Sequence, residues 1–510
     1  MVSRRHFLLG SATATLHGCA GLAVPEGKAD TPFNLGIASG DPTAHGIVLW
    51  TRICPGGNPF EFPEQTVTVN WLLAEDPHLT RNVRSGSLLA SADSSHCVHV
   101  ELEGLEPGKD YYYQFEALGQ RSRLGRTRTL PPAGMPIESL KIALTSCQEY
   151  STGYFNAYAD VVAQSPDFIL HSGDYIYESG AGDFRNYPFE EAFSLTDYRV
   201  LYALYRQDPY LRQAHEKLPW IILWDDHEVV NDWGQDHFVP SPYNLVPAPI
   251  DFHTRKAAAI KAFFEHMPIR QSRRQAADAP NLYQRLTIGD LVELNVLDVR
   301  SYRDGPVCNT AGSGRFSPCD MVNDTDRQYL GNAQEAWLLS GFGSSHCRWN
   351  VLAQTTVMTP FDLSPGSEIA YETDGWDNYP QARNRLLQAW RQKRITNVVS
   401  LGGNIHAFYA GVLAAEHGQC SIPIGTEIVT TSISASGGGQ ARYRSINDTR
   451  QENPCMEFFD NRQRGYALVE FDQQQVRTQF RVANSIQTEE AMFSTLFEFL
   501  IESGNAGTRR

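Results

Sequence analysis

Short apolar runs of strand length recur between residues 140 and 401, and several stop abruptly at side chains of the kinds that bind metal ions. They cover residues 140–144, 168–171, 220–224, 292–297, 349–354 and 397–401. Runs this short and this apolar read as buried strands, while residues 214–218, 255–266 and 381–393 carry helical spacing. Strands alternating with helices restrict the chain to an α/β sheet or sandwich, a class that gathers ligands at its strand ends.

Residues 33–130 read as all-β. Ile47 to Arg52 forms one strand, residues 66–72 alternate with a period of two, and residues 96–102 alternate again. Leu105-Glu106-Pro107-Gly108 then turns the chain into Tyr111-Tyr112-Tyr113-Gln114-Phe115-Glu116. Such spacing predicts a small β-sandwich. The Leu-x-Pro-Gly-x-x-Tyr-x-Tyr string resembles a fibronectin-type module, whose second tyrosine packs into the core. Residues 131–136 read as a linker. Met492, Phe493, Leu496, Phe497 and Leu500 fall at helical spacing, so residues 488–510 are expected to form a docked C-terminal helix and tail. Gly437-Gly438-Gly439 lacks the Lys-Ser/Thr of a phosphate-binding loop, and a flexible surface loop is expected there.

The start of the chain reads as a targeting segment. Ser3-Arg4-Arg5-His6-Phe7-Leu8-Leu9 leads into small and apolar residues through Ala23, and acids begin only at Glu26. The string resembles a twin-arginine export signal over residues 1–30, a route taken by proteins that fold around a cofactor before export. Leu16-His17-Gly18-Cys19 loosely matches a lipoprotein box, giving Cys19 as a candidate lipid anchor. No later stretch reaches the ~18 apolar residues of a transmembrane span. An oxidising destination favours paired cysteines: Cys308 with Cys319 first, Cys54 with Cys97 and Cys420 with Cys455 next. The formal net charge of −15 argues against a nucleic-acid or anionic-membrane binder. It also repels anionic substrates unless cations sit at the site.

Four strand-end segments hold the chemistry. Ala143-Leu144-Thr145-Ser146-Cys147 places a thiol at one strand end, where a buried structural cysteine is the plainer reading. In Gly173-Asp174-Tyr175-Ile176-Tyr177 the glycine permits a tight turn, Asp174 leaves the strand end, and Tyr177 returns to it as a chelate. Trp224-Asp225-Asp226-His227-Glu228 masses carboxylates after an apolar strand, which is costly unless they meet cations, and Asn231 follows nearby. In Gly402-Gly403-Asn404-Ile405-His406 the two ligand-type residues share one face of an extended segment.

Together these strings resemble the PhoD-type alkaline phosphatases of the metallophosphoesterase superfamily. The resemblance implies a metallophosphoesterase-like α/β (α+β) sandwich flanked by helices over residues 138–487, preceded by an all-β fibronectin-like sandwich over residues 31–132. It implies an exported, periplasmic or secreted alkaline phosphatase acting on small phosphomonoesters, with phosphodiesters as further substrates. Cys147, Asp174, Tyr177 and His406 resemble the ligands of a ferric ion, since thiolate, phenolate and carboxylate together suit a highly charged iron better than magnesium. Asp174 would bridge to calcium, with Asp226 and Asn404 as its further ligands and Asp225 and Asn231 as nearby candidates. His227 would face the phosphate or protonate the leaving oxygen. Arg300 resembles the family's basic residue near the substrate; its plainer reading is a structural arginine paired with Asp298. The family has Asp where this chain has Asn404, which removes a charge and points to altered metal use. Two cations would hold the phosphate oxygens and activate the attacking oxygen. The rival readings are a diesterase or phospholipase-type hydrolase on the same scaffold, and an exported protein that binds without turnover.

Overall fold

The computed structural model describes residues 31–509 apart from 181, 183, 239–248, 276–279, 309–314, 345 and 415–419, so residues 1–30, where an export signal and a lipid anchor at Cys19 are expected, lie outside it. All six apolar runs are strands. Ser139–Thr145, Phe168–Ser172 and Pro219–Leu223 are parallel neighbours in a nine-stranded sheet. Val292–Val296, Trp349–Ala353 and Val398–Gly402 are parallel neighbours in a seven-stranded one. The two sheets meet face to face over a shared core in which Leu140, Ile142, Leu170 and Ile221 oppose Leu294, Val351 and Val399. This is why both faces of each run are apolar: one face meets the opposite sheet and the other meets helices.

Helices cover both outer faces. Ala157–Gln164, Leu195–Tyr205, Pro209–Lys217 and Phe252–His266 pack on the nine-stranded sheet, and Gly331–Gly341 and Pro380–Gln392 on the other. Their starts are written locally. Asp208 accepts from Tyr210 and Leu211 N–H with Pro209 in the first turn, and Ser194 and Asp197 close a reciprocal cap. No helix among the described residues is long and apolar enough to cross a membrane.

The N-terminal strands divide between two sheets. Val67–Ala74, Arg84–Ala90, Asp110–Ala117, Gln120–Arg121 and Gly125–Arg128 form a sheet of their own, and Tyr113 is fully buried beneath it. Ile37–Gly40, Ile47–Arg52 and Cys97–Leu102 form the opposing layer. That layer belongs to the nine-stranded sheet, because Ile37–Gly40 pairs in parallel with Pro219–Leu223. Residues 131–136 are pinned as well: Gly134 N–H donates to Gly289 and Asp290 N–H to Met135.

Three expectations are corrected. The C-terminal tail is not a helix: Phe493–Glu502 is an edge strand antiparallel to Gln475–Ala483. Its buried side chains, Phe499 and Ile501, are two apart, while Met492 is 67% exposed, so the working period is two and not 3.6. A helix, Gly439–Asp448, does follow Gly437-Gly438, and Asn461 Nδ2 donates to the Gly437 and Gly439 carbonyls, so the segment is packed. Cys308–Cys319 and Cys420–Cys455 are bridged, but Cys54 and Cys97 are free buried thiols. Cys54 packs with Leu35 and Ala203, whereas Cys97 packs with Ala38 and Trp50.

Candidate metal centre

The strands Ser139–Thr145, Phe168–Ser172, Pro219–Leu223 and Val398–Gly402 release their chains into one cluster of side chains. The backbone is forced there. Cys147, Asp174, Asn404 and His406 all have positive φ, between 52° and 64°, a conformation that costs a non-glycine residue energy and concentrates at functional sites. Gly173 has φ +97°, and a Cβ added to it would lie 2.6 Å from the Asp225 nitrogen, so only glycine lets the two strand ends approach. Cys147 N–H donates to Gly173 O and Gln148 N–H to Asp174 O, both at 3.1 Å.

Cys147 Sγ, an Asp174 oxygen and a His406 nitrogen all lie within 4.8 Å of one another. The Tyr177 hydroxyl is 3.1 Å from both Asp174 Oδ2 and His406 Nε2. His406 Nδ1 is 2.7 Å from the Ser436 carbonyl and must donate to it, which leaves the Nε2 lone pair facing the cluster. Burial holds the His406 pKa down to about 3, so the ring is neutral, as a metal ligand must be. Burial pushes the Cys147 thiol and the Tyr177 hydroxyl well up, and the Asp174 charge beside them adds to it. Only a cation would reverse that.

Asp174 also belongs to a second group with Asp226 and His227, and Asp226 to a third with Asp232 and Asp374, each within 4.8 Å. Burial raises Asp174 well above the carboxylate range despite His227, and Asp226 and Asp225 push the same way. Burial likewise raises Asp232, with Asp374 adding to it, and pushes Asp225 up to about 7. Burial disfavours a charged His227, but Glu178, Asp226 and Asp174 outweigh it and hold its pKa well above the usual range. His227 Nδ1 sits 2.6 Å from Glu178 Oε2, and its ring stacks on Tyr177 at 4.2 Å between centroids.

Arg300 is fully buried and committed to carboxylates. Its Nε lies 2.5 Å from Asp225, both terminal nitrogens lie 2.6 Å from Asp374, and Asp226 is 3.4 Å away. Its guanidinium thus pairs with these acids and not with Asp298, which takes only its main-chain N–H at 3.1 Å. Asn404 Nδ2 donates to Asp374 Oδ2 at 3.0 Å. Asn231 joins through its main chain, its N–H donating to Glu178 Oε1 at 2.9 Å. Sequence reasoning missed Asp374, Asp232 and the two organising glutamates. Glu228 accepts from Tyr175 N–H at 2.6 Å and Asp225 N–H at 2.8 Å, tying two strand-end loops together. The acids of Glu372-Thr373-Asp374 follow no apolar run, so only charge density marked them.

The donor set fits cations. Acids outnumber the buried Arg300, Arg303 and His227 around them; the buried oxygen Asp225 Oδ2 has no hydrogen-bond partner, and Asp226 Oδ1 meets only the Arg300 guanidinium at 3.4 Å. Thiol, phenol, carboxylate and neutral imidazole gather on one side, and carboxylates with the His227 ring beside them on the other.

Residues 142–480 match the model of the PhoD-like phosphatase family, and residues 19–131 match that of the PhoD-like phosphatase N-terminal domain. The chain is 38% identical to alkaline phosphatase D of Bacillus subtilis (strain 168) over 488 residues, 94% of this chain and 82% of that one. A solved structure of PhoD superposes with a TM-score of 0.87 at 37% identity, covering 94% of this chain and 92% of that chain.

Proposed function

The chain belongs to the PhoD-like phosphatase family and is a phosphoric ester hydrolase, and on that premise we propose that it is an exported alkaline phosphatase hydrolysing phosphomonoesters, and diesters as well, at a binuclear centre on a metallophosphoesterase-type sandwich. The observation that supports it most is the position of Asp174, which lies within ligand distance of both the Cys147/His406 group and the Asp226/His227 group. A carboxylate placed so can bridge two cations.

Cys147, Asp174, Tyr177 and His406 would hold iron(III), and Asp174, Asp226 and Asn404 calcium; such ions polarise the phosphate oxygens and acidify the attacking water. The protein's own groups supply the rest. His227, charged and aimed by Glu178, can donate to a phosphate oxygen or protonate the departing alkoxide. Tyr177 covers one face of that imidazole and limits its rotation. Arg300 is a positioning residue in this reading: it spans Asp225 and Asp374 and fixes their spacing. Residues 3–23 support export by the twin-arginine machinery, with Cys19 as a lipid-anchor candidate.

The test is metal analysis with hydrolysis of p-nitrophenyl phosphate and bis-p-nitrophenyl phosphate at alkaline pH, with and without calcium. Bound iron and calcium-stimulated turnover are expected, and Asp174→Ala should lose both. The ratio of the two rates assigns the ester class. A wild type with neither iron nor turnover would overturn the reading and leave a protein that binds without catalysis.

A further inference from the structure

We propose that Arg442 and Glu372 form a breakable ion pair across the mouth of the metal site, and that Arg442 selects phosphate esters carrying a second anionic group. The inference deepens the phosphatase reading above and rests on it.

The two residues are anchored to opposite sides of the site. Arg442 lies in the first turn of Gly439–Asp448, and the segment leading into that helix is fixed to the Cys147/His406 side. Ser436 O takes His406 Nδ1 at 2.7 Å, Ala435 N–H donates to Cys147 O at 3.3 Å, and Arg464 Nη1 donates to His406 O at 3.1 Å and Ala435 O at 2.7 Å. The stem of Arg442 lies close over Gly438, where an added Cβ would be 3.1 Å from its Cδ. Glu372 ends the short strand Tyr371–Glu372, next but one to Asp374, which Arg300, Arg303 and Asn404 hold on the Asp226/Asp232 side. Arg442 Nη2 and Glu372 Oε1 meet at 3.0 Å.

Exposure separates this arginine from its neighbours. The side chains of Arg300 and Arg303 are 0% and 1% exposed and bound to Asp374, so neither is free to receive a ligand. Arg442 is 30% and Glu372 36% exposed, so water screens their attraction and the pair opens at small cost. A substrate carboxylate or phosphate can then replace Glu372 on the planar guanidinium fork. An ester without a second anion leaves the pair closed. In a chain of net charge −15, a cation at the entrance offsets part of the repulsion that a polyanionic ester meets on approach.

Two competitors isolate this effect because they differ only at C1. 3-Phosphoglycerate carries a carboxylate where glycerol 3-phosphate carries a hydroxymethyl group. Their inhibition constants are measured against chromogenic-ester turnover by the metal-loaded full-length enzyme. Wild type should bind 3-phosphoglycerate about three- to tenfold more tightly, the range of a partly screened charge-assisted contact. Arg442→Gln should bring the ratio towards one, Arg442→Lys should restore part of it, and Glu372→Gln should raise it. A ratio that none of the variants moves, or a wild-type ratio near one, overturns the inference while chromogenic turnover leaves the phosphatase reading standing. A wild type that hydrolyses neither chromogenic ester sinks both.

Discussion

Asn404 faces a carboxylate, and that contact explains why an amide works at this position. Its Nδ2 donates to Asp374 Oδ2 at 3.0 Å, while Asp374 already brings negative charge to the Asp226 side of the site. A second carboxylate here would meet Asp374 without a proton between them. Asn404→Asp should therefore destabilise the chelator-treated protein by about 1–3 kcal/mol, seen as a lower melting temperature, and calcium should raise that temperature more than it does in wild type. A variant that melts like wild type without metal would mean that this hydrogen bond is not what the amide supplies. The sequence marked Asn404 as a departure from the family pattern but could not show what it faces, because its partner comes from a segment thirty positions away.

Among the elements, the turn after Phe168–Ser172 carries the most geometry per residue. Gly173 lets Asp174 leave the strand end against Asp225, and Glu228 then binds the Tyr175 and Asp225 nitrogens. Gly173→Ala puts a methyl group into the Asp225 main chain at φ +97°. Strain of about 1–3 kcal/mol is expected from the conformation alone, together with displacement of Asp225. Thermal melting should fall and chromogenic-ester turnover should drop at least about tenfold, the effect of roughly 1.4 kcal/mol in transition-state energy; unchanged turnover would show that the Asp174–Asp225 approach is not needed. The same local logic failed in the tail. Met492, Phe493, Leu496, Phe497 and Leu500 suit a helix, yet Phe497, Phe499 and Ile501 suit a strand equally. The free edge at Gln475–Ala483 decided between them, because pairing there satisfies the backbone and buries Phe499 and Ile501.

At the scale of the molecule the N-terminal sandwich and the catalytic layers are one continuous sheet system. Ile37–Gly40 covers the edge of Pro219–Leu223, the strand that leads to Asp225 and Asp226, and Trp50 Nε1 donates to Glu265 O at 2.8 Å across the seam. Deleting residues 31–132 should uncover that edge and an apolar face, so the remainder should elute as aggregate in size-exclusion chromatography. A monodisperse, metal-binding fragment would show the two parts to be independent. The sequence by itself determined the buried strands, three of the seven α-helices among the described residues, the Cys308–Cys319 bridge and the four segments that carry ligand-type residues, because burial on both faces, capping and turn chemistry are written in neighbouring residues. Only the tertiary structure decided that Arg300 binds Asp225 and Asp374, that Cys54 and Cys97 stay apart, that the last segment is a strand and that Arg442 reaches Glu372. Each of those depends on which distant surface is left to pair with, and no local pattern of apolar and polar residues carries that information.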